Sequence, residues 1–93
     1  MNCVATALFL LQCVGISPST VPSVVVTEDI PFAGLYTESR VYVKDPNNCE
    51  VMLHEFVHHL QWLENGNAKD EREWWNREIE AQLFTHSIIE RCQ

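Results

Sequence analysis

The run His54-Glu55-Phe56-Val57-His58 restricts this chain more than any other feature, because its chemistry works only on a helix. Four residues advance an α-helix by about 400°, so both imidazoles leave one face about 6 Å apart, close enough to ligate one ion. Glu55 then lies beside them. Two neutral ring nitrogens and a carboxylate next to a water site are what a metal-dependent hydrolase requires. With four histidines in 93 residues, roughly 0.02 accidental matches to this pattern are expected per chain. The flanks also read as helix ends. Asp45-Pro46-Asn47-Asn48 supplies N-cap residues, Glu50 sits three after Asn47 in capping-box position, and Asn65-Gly66-Asn67 is a stop. A helix is predicted over Cys49 to Glu64.

A catalytic zinc takes three protein ligands, so the pattern asks for one more donor. The extension x-x-G-x-x-H is absent, because His58 is followed by His59-Leu60-Gln61-Trp62-Leu63. Acidic donors lie downstream, on a third helix predicted from Asp70, where Glu73 completes an Asp-x-x-Glu box, to about Cys92. Helical phase separates them. Trp74, Trp75, Ile79, Ala81, Leu83, Ile88 and Ile89 define an apolar face centred near Glu78, whereas Glu80 lies about 200° away from Glu78 on the solvated side. A carboxylate on an apolar face needs a partner, and a metal is one. Glu78 is the expected third ligand, with Glu80 second. An ion pair of Glu78 with Arg72, Arg77 or a histidine is the metal-free alternative.

The rest of the chain supplies one small domain, residues 1 to 93, around that helix. A chain of this length buries only about 60–65% of its unfolded surface, so support from a metal, a disulfide or a partner is expected. The net charge of −7 sets a repulsive surface against a nucleic acid backbone and excludes that class of partner. The apolar stretch Val4 to Ile16 lacks a basic flank, is interrupted by Gln12 and is too short to span a bilayer. It is read as a buried helix over residues 2–15, closed by Gly15, rather than as a signal or transmembrane segment. Ser23 to Glu28, Leu35-Tyr36-Thr37 and Arg40-Val41-Tyr42-Val43 read as strands, giving a small antiparallel sheet of two or three strands and an α+β class.

With the elements in this order, the segment Leu53 to Gln61, Glu78 twenty residues after His58, and the run Glu78-Ile79-Glu80-Ala81-Gln82 resemble the gluzincin class of zinc metallopeptidases. The small single-domain members, the minigluzincins, show the same layout: a backing helix, a short sheet with an edge strand over the cleft, the active-site helix and a glutamate helix. The resemblance implies a zincin-like minimal domain holding Zn2+ through His54, His58 and Glu78, with Glu55 as general base and then proton donor. Where some members carry an acid four positions after the ligand glutamate, this chain has Gln82, and the Asn-Glu-x-x-Ser-Asp signature is absent.

The function so implied is zinc-dependent cleavage of peptide or protein substrates. The alternative is a binding or regulatory module of the same fold with a structural zinc and little catalysis. Tyr36, Tyr42 and His86 are the candidates to stabilise the oxyanion, and the free edge of the Arg40 to Val43 strand is the expected peptide dock. One wall of the cleft is expected to be open and could be completed by a protein partner. His59, about 100° from the ligand face, is expected to be exposed or paired with an acid, Gln61 to support a ligand, and Trp62, Trp74 and Trp75 to be core. Four cysteines without C-x-x-C spacing argue against a thiolate site. Cys3 and Cys13 are read equally well as buried thiols. Antiparallel second and third helices would bring Cys49 to Cys92, and a disulfide there would suit a secreted or periplasmic location.

Overall fold

In the computed structural model, which describes residues 3–92, three helices and three strands follow in the order α1 (Val4–Cys13), β1 (Ser23–Val26), β2 (Gly34–Thr37), β3 (Arg40–Val43), α2 (Cys49–Asn65) and α3 (Glu71–Cys92). Asn2, where the sequence would begin α1, lies outside the described residues. The N-cap of α2 is Asn48, one residue later than the capping-box reading, and its side chain accepts from Val51 N at 3.2 Å. Gly66, at φ 70°, ends α2 in a left-handed turn, its N–H bonded to Trp62 O at 2.8 Å. Asp70 caps α3 as expected, accepting from Glu73 N at 2.9 Å, while Glu73 reaches back to Lys69 N at 3.0 Å.

Helix α2 is the spine. Met52, Leu53, Phe56 and Val57 are all buried, between Val41 and Val43 of β3 on one side and Ala7, Leu10 and Leu11 of α1 with Ala81 and Ile88 of α3 on the other. The apolar residues of α1, spread around the helix, therefore pack against both α2 and α3.

The sheet is mixed, not antiparallel, with strand order β1-β3-β2. The two-residue turn Glu38-Ser39 makes β2 and β3 an antiparallel hairpin, Tyr36 opposite Val41. The 27–33 segment then carries the chain across the end of β3, anchored by Thr27 N to Val43 O at 2.9 Å and Lys44 N to Ala33 O at 3.2 Å. That crossing puts β1 on the far side of β3, parallel to it, Val24 opposite Val41. With β3 in the middle, the strand expected to offer a free edge to a substrate has none, and β2 takes that place.

The cysteines also pair differently from the expectation. Disulfides join Cys3 to Cys49 and Cys13 to Cys92, instead of Cys49 to Cys92. Helix α1 explains the change: its N-terminal end meets the start of α2, where Cys3 N donates to Pro46 O at 2.9 Å, and its C-terminal end meets the end of α3. The backing helix is thus a strut, stapled at both ends to the two helices that carry the metal-ligand candidates. No helix among the described residues is long and apolar enough to cross a membrane.

Candidate metal centre

Helices α2 and α3 pack side by side, and the contact brings His54, His58 and Glu78 together with one ligand atom each inside 4.8 Å. His54 Nε2 lies 3.2 Å from His58 Nε2 and 3.5 Å from Glu78 Oε1, while Glu78 Oε2 is in direct contact with His58 Nε2. Two zinc bonds of 2.0–2.1 Å at a tetrahedral angle separate their donor atoms by about 3.3 Å, so the spacing fits a shared ion. The carboxylate sits between two imidazoles and is held down at about 2, through hydrogen bonds to His54 and His58 that outweigh its burial. Burial works against charge on His58, but the hydrogen bond and charge of Glu78, then Glu55 and Gln61, leave its pKa above the ordinary value.

The tautomer of His58 follows from Gln61. Gln61 Nε2 donates to Arg77 O and to Glu80 Oε1, each at 3.0 Å, so its carbonyl oxygen is the atom left facing His58 Nδ1 at 2.7 Å. An acceptor there requires Nδ1–H, so Nε2 faces Glu78 and His54 in one of two forms: a lone pair free for a metal when His58 is neutral, or the N–H that Glu78 accepts when His58 is charged, which is the metal-free ion pair. Converging acceptors of this kind are satisfied by a cation. Gln61 thus bonds to the ligand candidate His58, and Glu80, placed second as a candidate ligand, instead holds the Gln61 amide. Gln82 turns away to His86 Nε2 at 2.9 Å.

Glu55 is 5% exposed, and among the described residues it has no hydrogen-bond partner. Desolvation raises its pKa to about 7, against the pull of His58 and His54 and with the push of Glu78. Its carboxylate lies against the first residue of β2: a Cβ on Gly34 would stand 2.8 Å from Glu55 Oε2 and from Val51 Cγ1. Only glycine lets the strand come this close.

The three ligand candidates and Glu55 open into one cleft of about 570 Å³ between α2, α3 and the edge strand β2. Of the expected oxyanion donors only Tyr36 lines it, and its hydroxyl is engaged. His59 Nε2 is 2.9 Å from the Thr20 carbonyl, which can only accept, so Nδ1 must accept the Tyr36 proton at 2.6 Å, while Ser39 N donates to the Tyr36 oxygen at 2.7 Å. His59 is 1% exposed with a lowered pKa from burial, opposed by its bond to Thr20. It is therefore a neutral buried link, neither exposed nor acid-paired, because Tyr36 and residue 20 fold over it. Val41 and Val43 fill the inner face of β3, so Tyr42 points the other way, and His86 stands outside the lining at 3.8 Å from Glu50. The tryptophans also differ from the expectation: Trp62 and Trp74 line the cleft, and Trp74 and Trp75 are 40% and 54% exposed. Nothing in their spacing distinguishes a helix face covered by a neighbour from one left bordering a cleft.

No family model, no curated protein and no solved structure matches this chain.

Proposed function

We propose that this protein is a zinc-dependent metallopeptidase of the gluzincin type, a zincin-like minimal domain with His54, His58 and Glu78 as ligands and Glu55 as its base. The observation that carries the reading is the convergence of three acceptor atoms at zinc-ligand spacing, with an unpaired buried carboxylate beside them in an open cleft. A zinc ion bound there would supply Lewis acidity, lowering the pKa of water and polarising a carbonyl. Glu55 takes the proton from the attacking water and passes it to the amide nitrogen as the C–N bond breaks. Gln61 keeps His58 in the Nε2-ligating tautomer. The unpaired edge of β2 offers N–H and C=O groups to an extended backbone, which favours a peptide over a compact substrate. The two disulfides are compatible with a secreted or periplasmic setting.

A zinc-holding binding module with weak catalysis is the second reading. It is favoured by the commitment of the Tyr36 hydroxyl to His59 and Ser39, which leaves the cleft without the phenol donor that the sequence offered.

Metal content and peptide cleavage test both. About one zinc per chain, lost in Glu78→Gln and kept in Glu80→Gln, is expected, together with cleavage of a mixed peptide pool that Glu55→Gln lowers by about 10²-fold or more. Zinc without cleavage supports the module. No zinc rejects both.

A further inference from the structure

We propose that the end of the cleft formed by Tyr36, Trp62 and Trp74, with Glu38 at its rim, is a subsite for the long basic side chain of a peptide, arginine first. The proposal rests on the peptide reading of the metal centre and names the substrate class it selects. Trp62 sits 6.4 Å from the Tyr36 ring, edge to face, at the C-terminal end of α2, and Trp74 borders the same cleft with 40% of its surface exposed. Wet tryptophan faces invite an occupant, and tryptophan is the best ring for a cation.

Charge decides between an apolar and a basic occupant. Glu38 and Glu50 both line the cleft. The lining's one arginine, Arg77, is already spent on Glu73 at 2.9 Å and on the Gly66 carbonyl at 2.6 Å. Neither rim carboxylate is bonded to it. Glu38 follows Tyr36 by two residues, in a left-handed turn at φ 38° that Ser39 fixes through its N–H to Tyr36 and its carbonyl to Ser23 N at 3.0 Å. Its backbone is therefore fixed two residues from Tyr36, and the residue lines the same cleft as Tyr36, Trp62 and Trp74. An apolar side chain would use the rings and leave Glu38 idle, and an acidic one would be repelled. An arginine lays its stem and guanidinium plane on the tryptophans and brings its charge to Glu38.

The test is binding to the zinc-loaded Glu55→Gln chain, which keeps the three ligands, of blocked pentapeptides Ala-Ala-X-Ala-Ala with X as Arg, Lys, Leu, Ala or Glu, followed by calorimetry. The arginine peptide is expected to bind roughly tenfold more tightly than the alanine peptide, with lysine between and glutamate weakest. Trp74→Ala and Glu38→Gln, both on exposed positions, should each remove most of that advantage and leave the alanine peptide unaffected. Leucine equalling arginine, equal binding of all five, or no binding to a protein that holds zinc overturns the proposal alone. A chain that holds no zinc overturns the metal reading and the proposal with it.

Discussion

Gln61 has both amide hydrogens committed, to Arg77 O and Glu80, so its orientation cannot flip without losing two bonds on α3. That lock keeps Nδ1 of His58 turned to Gln61 and Nε2 turned to Glu78 and His54, the orientation that the proposed metal site needs. Gln61→Ala is expected to weaken zinc binding by about 10–100-fold, read by competition with a chromophoric chelator, while circular dichroism stays unchanged. Glu55 gives the opposite kind of prediction. Its pKa of about 7 lies above its ordinary 4.5, so the metal-free folded state binds a proton that the unfolded chain has released, and stability falls as pH rises through that window. Removing the carboxylate should therefore stabilise the chelated protein by about 3 kcal/mol at pH 8 and by almost nothing at pH 4. Thermal unfolding of Glu55→Gln beside the unsubstituted chain measures it; an equal gain at both values would contradict the burial argument.

Among the elements, the β2–β3 hairpin sets the cleft wall, and it does so at a local cost. Glu38 and Ser39 both adopt positive φ, at 38° and 71°, in a two-residue turn that glycine or asparagine fills best. The Tyr36 hydroxyl, Ser23 and, through His59, residue 20 hold it there. Ser39→Gly keeps the N–H and carbonyl that make these bonds and relieves the strain, so it should raise stability by about 0.5–1 kcal/mol in denaturant unfolding. The same elements show why a pattern of strands does not reveal a sheet. Val41 and Val43 alternate with Arg40 and Tyr42 whichever strands flank them, and only the course of residues 27–33 across β3 decides that β2 is the edge that borders the cleft.

For the whole molecule, two covalent bonds make up for a modest core. The Cys3–Cys49 bond spans 46 residues and the Cys13–Cys92 bond 79. In the chain-entropy account each removes about 4 kcal/mol from the unfolded state, comparable to the entire stability of a domain this small. Cys3→Ala with Cys49→Ala should lower the unfolding free energy by about that amount, and added zinc should restore part of it, because the ion joins α2 to α3 independently of α1. Recovery of stability on zinc titration would show a metal tie between α2 and α3 acting separately from the disulfides that fasten each of them to α1.

The shared face of His54 and His58, with Glu55 beside them, was legible from helical period, because 3.6 residues per turn fixes which side chains of one helix lie together; Glu78 was singled out by an apolar face of which Trp75, Ile79 and Leu83 are in fact exposed, and its meeting with the histidines depends on α3 packing against α2. The three helices, their limits to within a residue or two at the caps, and the strand segments were legible for the same reason: local hydrogen-bonding and steric rules act over a few neighbours. Gln61's support was visible as a phase relation, but not Glu80's part in it, since that needs α3 laid against α2. The buried place of His59, the strand order, the partner of each cysteine and the solvent-facing tryptophans depend on which elements meet. Those contacts join residues up to 79 positions apart; the packing of α1 against α2 and α3 accounts for the cysteine pairing, and its nearly uniform apolar sequence carries no phase to announce it.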